Sequence, residues 1–170
     1  MTDFAEAAVA LILAPGPELL LVRRAERESD RWSGHMALPG GRREAADRDL
    51  LDTAIRETRE ETAVALARDG LTGTLEDLKP RAPTLPPILV RPFVFRLAEK
   101  PATSLSEELT GAFWFGLDEL KASASEAPVQ VAGAPTAVPA FIPREGCVIW
   151  GMTHRILTCF FAVPGLYSVR

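Results

Sequence analysis

A chain of 170 residues, 47% hydrophobic and 25% charged, has the balance of a folded protein with one sizeable core and little room for two ordinary domains, so a single domain over 1–170 is expected. Its net charge of −4 at pH 7 excludes a generic grip on nucleic acid or on an anionic membrane, both of which need a broad cationic surface; a small anionic ligand stays open. Cys147 and Cys159 are too few for a disulfide framework and are not grouped as zinc ligands are, so both are expected as small core residues in a reduced, cytoplasmic compartment.

The apolar runs 7–14 and 19–24 bracket Pro15-Gly16-Pro17 and predict a hairpin. The N-terminus before them carries acid where a secretory signal needs base, so no targeting segment is expected. A polar stretch, 25–34, leads to a short strand at 35–38 that stops in a loop at Pro39-Gly40-Gly41. From 50 to 66 the pattern is helical, with Leu51, Ala54, Ile55 and Thr58 at spacings of three and four, Asp49 as N-cap and Asp52 as a weak capping-box acid. Strands are predicted at 88–97 and 112–117, the second passing into a short helix at 118–122. Residues 123–139, rich in Ala, Pro and Ser, read as a loop. The segment 148–161 reads as a strand end entering a terminal helix. Its apolar part, 156–163, is less than half of the ~20 residues that cross a membrane and is expected to be buried.

The chemistry is concentrated in Arg56-Glu57-Thr58-Arg59-Glu60-Glu61. At about 100° per residue, Glu57, Glu60 and Glu61 fall within about a third of a helix circumference, so three carboxylates converge. Arg56, one turn before Glu60, relieves part of their repulsion, but such a pair contributes only ~0.2–0.5 kcal/mol and cannot neutralise three acids. A hard dication, Mg2+ or Mn2+, would satisfy them better. Taken alone, an acidic turn is usually a solvated helix face. Its context is less ordinary: a predicted strand, then Gly40-Gly41 flanked by Arg42 and Arg43, then the acidic turn beginning fifteen positions after Gly41.

The run Gly41-x5-Asp47-x8-Arg56-Glu57-x-x-Glu60-Glu61 resembles the Nudix box of the Nudix hydrolases. It has Asp47 where the general box has Glu, one extra residue before the Arg-Glu pair, and Ala63 where the box has Gly. The longer spacing is similar to that of the coenzyme A diphosphatase branch, which carries a further motif ahead of the box. Its counterpart here is Leu20-Leu21-Val22-Arg23-Arg24-Ala25 followed by Arg31-Trp32-Ser33-Gly34-His35-Met36-Ala37-Leu38-Pro39-Gly40-Gly41, with Leu38 in place of the usual Phe and His35 where a polar residue is common. The motif-level resemblance covers 19–64; beyond it Glu107-Glu108-Leu109 and Ile149-Trp150-Gly151 match only in outline.

The resemblance implies an α/β fold of the Nudix type, an α/β/α sandwich with a mixed sheet between helices. It implies a metal-dependent diphosphatase that splits coenzyme A or a derivative into 4′-phosphopantetheine and adenosine 3′,5′-bisphosphate. Glu57, Glu60 and Glu61 would hold Mg2+ or Mn2+ with the Gly40 carbonyl as a further ligand, and Arg56 would orient a glutamate. Glu57, Glu60 and Glu108 are all candidates for the base. Between residues 23 and 43, six arginines face three acids, a local excess of +3 that suits a phosphate-rich ligand. Arg24, Arg31, Arg42 and Arg43, with Gly40 and Gly41, are the substrate-binding candidates. The partner is thus a small nucleotide, with no nucleic acid or membrane, and a homodimer is compatible with the pattern. Other nucleoside diphosphate derivatives, or a non-catalytic ligand sensor, are the competing readings. His35 and His154 lack a partner pattern. Trp32, Trp114 and Trp150 are expected mainly in the core, Trp32 being the best placed of them to stack on an adenine.

Overall fold

The computed structural model describes residues 4–28, 34–81 and 87–167. Strands β1 (Ala5–Ala14) and β2 (Glu18–Arg24) form the expected hairpin, with Leu13 opposite Leu19. The short β3 (Met36–Ala37) pairs with β2. The glycine pair, expected as a loop, is itself a strand: β4 (Gly40–Arg42) lies antiparallel to β1, with Ala8 opposite Gly41. After helix α1 (Leu50–Thr62) and β5 (Leu71–Thr74) comes β6 (Ile88–Arg96), parallel to β1 from Ala5 opposite Ile88 to Leu13 opposite Arg96. Strand β7 (Leu109–Gly116) returns antiparallel to β2, completing a seven-stranded mixed sheet.

Side-chain alternation gives this sheet two apolar faces. Ala8, Ala10 and Ile12 of β1, with Leu20, Phe93 and Phe95, meet Leu50, Leu51 and Ala54 of α1. Leu11, Leu13, Leu19, Leu21, Val94 and Phe115 point the other way, onto Leu120 of α2 (Leu117–Ala122) and onto Ile156, Leu157 and Phe160 of α3 (Gly151–Phe161). The architecture is therefore an α/β/α sandwich. A central strand covered on both sides has no polar face to show, which is why β1 reads as an unbroken apolar run from residue 7 to its end.

Helix α1 starts as expected, with the Asp49 carboxylate accepting from the Asp52 N–H at 2.9 Å. Asp52 does not complete the box; its carboxylate accepts instead from the Arg48 backbone N–H at 3.3 Å and from the Arg48 guanidinium at 2.6 Å. The helix ends at Thr62 rather than at 66, because Ala63 turns left-handed (φ 60°) and its N–H closes on the Arg59 carbonyl. Val64 and Leu66 are still buried, but in extended chain, where every second residue points inward.

Residues 123–139 are not a loop. They form β8 (Ala124–Val131) and most of β9 (Ala134–Arg144), which with β10 (Cys147–Trp150) make a second, three-stranded sheet. The hairpin closes through Ala132-Gly133, both at positive φ (51° and 82°), with Val131 opposite Ala134. In that register, pairs alternate between bonded and non-bonded, and Pro128, Pro135 and Pro139 all fall on non-bonded pairs, where a missing N–H costs the ladder nothing. The composition suggested a loop because it carries no positional information; the spacing of the prolines does. Cys147 is buried, but Cys159 is exposed on α3, contrary to expectation. Arg31 and Trp32 lie outside the described residues.

Candidate active site

The acidic turn of α1 lies against β4, and two glycines allow the approach. A Cβ at Gly41 would overlap the Glu57 carboxylate, and one at Gly40 (φ +154°) would overlap the Ala8 carbonyl and Val9 on β1. The Gly40 N–H donates to Glu61 Oε2 at 3.0 Å. Strand β4 is thus a thin backbone layer between the central strand and the acids.

Arg56 organises the rest. Its Nε and Nη2 fork the Asp47 carboxylate at 2.9 and 3.0 Å, its Nη1 reaches Glu57 Oε1 at 3.0 Å and Glu60 Oε2 at 3.1 Å, and its Nη2 also donates to the Arg42 carbonyl at 3.0 Å. The relief of Glu60 expected from the sequence is present, but the principal anchor is Asp47. That carboxylate is buried and accepts further bonds from Thr53 Oγ1 and the Glu44 N–H, both at 2.9 Å. Its hydrogen bonds with Arg56 hold it well below the usual carboxylate range. Asp47 entered the sequence reading only as a departure from the box; its wide separation from Arg56 in the chain hid the pairing.

The carboxylates differ sharply in environment. Glu60 is exposed. Glu61 has a side chain buried beneath the sheet edge, and burial pushes it up to about 7, with the charges of Glu57 and Glu108 adding to the shift and the Gly40 N–H and Arg24 opposing it. Glu57 is raised in the same way, mainly by burial, although Arg56 pulls it down. Glu108 is therefore brought within electrostatic reach of both, across a large gap in sequence. The segment before it docks on the end of α1, the Ser106 N–H on the Glu61 carbonyl at 3.0 Å and the Ser104 N–H on the Thr62 carbonyl at 2.9 Å.

The basic residues separate into different roles. Arg24 shares the face of Glu61. Arg23, one residue earlier, points to the opposite face, donating to the Gly146 carbonyl at 2.9 Å over the Phe113 ring. Arg43 pairs with Glu6 at 2.7 Å and reaches the Arg48 carbonyl at 3.1 Å, tying the segment after β4 together. Arg42 is exposed and contributes its carbonyl to Arg56.

Among the described residues, no three acidic, imidazole or thiol groups form a ready metal cage. Arg56 draws Glu57 and Glu60 to itself, and Glu61 is turned to Gly40. The donors nevertheless fit a hard dication: two desolvated carboxyls, Glu57 and Glu61, raised by burial and by the charge of neighbouring glutamates, with exposed Glu60 and Glu108 in electrostatic reach. Among the described residues no helix is long and apolar enough to cross a membrane.

The NUDIX domain family matches residues 3–132. An uncharacterized fission yeast protein, C14C4.10c of Schizosaccharomyces pombe, is 37% identical over 120 residues, covering 68% of this chain and 36% of that protein. The human mitochondrial coenzyme A diphosphatase NUDT8 is 29% identical over 163 residues, covering 91% of this chain and 66% of that protein. The chain thus spans about a third of the first relative and just under two thirds of the second. A MutT/nudix family protein from Enterococcus faecalis has the same fold, with a TM-score of 0.66 at 15% identity over 97% of this chain and 64% of the other. The family match extends over well more than half of the sequence and includes the whole glycine-strand and acidic-helix unit, so the chain belongs to the NUDIX domain family.

Proposed function

We propose that the protein is a metal-dependent diphosphatase acting on coenzyme A or a derivative. The observation that carries the reading is the packing of Glu57 and Glu61 against a glycine strand that admits no side chain: the two burial-raised carboxyls are gathered beside backbone, where a diphosphate can come close. The narrower choice of substrate is supported by the Arg24-to-Gly41 pattern ahead of the box and by the similarity to a relative named as a coenzyme A diphosphatase.

A bound Mg2+ or Mn2+ would neutralise the diphosphate and lower the pKa of an attacking water. Glu57, Glu60 and Glu61 would hold it, with the Gly40 carbonyl. Asp47 fixes Arg56, and Arg56 in turn fixes Glu57 and Glu60, so the acids are restrained from splaying into solvent. Arg24 supplies positive charge on the same face, where it can meet a phosphate oxygen. The charge of exposed Glu108 acts on both buried acids, and it is the candidate to take the proton of the water.

The test is a substrate panel of coenzyme A, ADP-ribose, NADH and nucleoside triphosphates with Mg2+ or Mn2+, products being separated by chromatography. Coenzyme A is expected to yield 4′-phosphopantetheine and adenosine 3′,5′-bisphosphate with the highest kcat/KM. A panel in which coenzyme A is inert while a sugar nucleotide is cleaved overturns the substrate assignment.

A further inference from the structure

Beside Arg24, at the edge of the large sheet, the rings of His35 and Trp150 meet edge to face, with centroids 5.1 Å apart and planes 65° apart. His35 belongs to the site by its backbone: the Arg24 N–H donates to its carbonyl at 3.0 Å, and the Gly34 N–H donates to the Arg24 carbonyl at 3.1 Å. The Arg24 charge in turn acts on Glu61. Trp150 comes from the other sheet. It is the last residue of β10, and the alternation that buries Cys147 and Ile149 in the core turns Trp150 outward, half-buried. Its indole N–H has no acceptor among the described residues, and the side chain does not cap α3. A tryptophan serving only as core filler would normally have its N–H paired or its ring enclosed.

We propose that His35 and Trp150 form the wall that seats the purine ring of the nucleotide half of the substrate, with the ring against the indole and the indole N–H available to an acceptor on the ligand. The proposal deepens the diphosphatase reading and rests on it for the position of the phosphates. A flat aromatic ligand suits this wall better than the flexible pantetheine arm, because a purine presents a whole π-face to the indole at little entropic cost, and base–aromatic stacking is commonly worth a five- to hundredfold change in affinity, roughly tenfold here. His35 is joined through its backbone carbonyl to the Arg24 N–H, so a nucleotide seated against the pair would have Arg24 as the neighbouring cation for its phosphates. His35 would thus have a role in selecting the substrate without being a base.

The experiment measures binding of AMP and of ribose 5-phosphate, which lacks the base, by isothermal titration in the absence of turnover. Wild type is expected to bind AMP at least tenfold more tightly than ribose 5-phosphate. Trp150→Leu and His35→Ala should each remove most of that difference, while Trp114→Phe, a change on β7 under the Lys100 ammonium, should retain it. Two variants are used because Trp150→Leu alone could disturb folding; each is checked by circular dichroism. Equal affinity of wild type for the two ligands, or an unchanged preference for AMP in folded His35→Ala and Trp150→Leu, would overturn the proposal. If coenzyme A is not cleaved but the variants lose the preference for AMP, the substrate assignment fails and the purine wall stands.

Discussion

Three threonines on α1 show how much one hydroxyl depends on its partner. Thr53 Oγ1 donates to the buried Asp47 carboxylate at 2.9 Å, and Thr62 Oγ1 to the Thr58 carbonyl at 2.7 Å, whereas Thr58 Oγ1 is buried with no hydrogen-bond partner among the described residues. Thr53→Val should therefore cost about 1.5–3 kcal/mol, the range for a hydrogen bond to a charged group. Thr58→Val should be neutral or stabilising by up to ~1 kcal/mol, since it removes a desolvated hydroxyl and keeps the shape. Urea unfolding of the two variants tests the contrast. Asp47 carries the larger burden. Because its pKa is lowered on folding, its contribution is fully present above its ordinary value near 3.8 and is lost as pH falls below that. Asp47→Asn should destabilise by about 2–3 kcal/mol at pH 7, less than a fully buried broken pair because Arg56 is one-fifth exposed and keeps Glu57 and Glu60. The gap between variant and wild type should narrow as unfolding is repeated from pH 4 to pH 2.5; a constant gap would contradict the pairing.

At the scale of elements, two turns use a residue poorly suited to them. Ala63 ends α1 and Ala132 opens the β8–β9 turn, both at positive φ, where an L side chain is strained. Ala63→Gly and Ala132→Asn should each raise stability by about 0.5–1 kcal/mol without altering the fold. Thermal melts of the single and double variants read this directly, and additive gains are expected because the two turns are in different parts of the molecule. These positions also mark where the sequence is legible and where it is not. The start of α1 was clear from Asp49, whose side chain makes a local bond. Its end was not, since the apolar residues Val64 and Leu66 satisfy a helical spacing and an extended one equally well, and an alanine gives no sign of a left-handed turn. The β8–β9 hairpin was hidden for the same reason: Ala132-Gly133 is a weak turn signal among many small residues, and prolines usually argue against strands unless their register is known.

For the whole molecule, the central hairpin, β6, the β7–α2 unit and the β10–α3 junction were legible because each is bounded by turn residues or by a change of period. The acidic turn was legible as well, since three glutamates at helical spacing can be placed on one side without knowing the fold. The parallel pairing of β1 with β6, the electrostatic reach of Glu108 to Glu57 and Glu61, and the anchoring of Arg56 by Asp47 depend on topology that no local pattern contains. Those long-range contacts gather the acidic helix face, Arg56 and the glycine strand, on which the proposal of a dication rests. The most direct measurement is titration of Mn2+ into wild type and Glu61→Gln, followed by the electron paramagnetic resonance signal of free Mn2+. Glutamine can still accept from the Gly40 N–H, so the fold should be kept while a charged oxygen donor is removed. Wild type should take up Mn2+ and the variant should bind it at least tenfold more weakly; equal uptake by the two would contradict the assignment of Glu61 as a metal ligand.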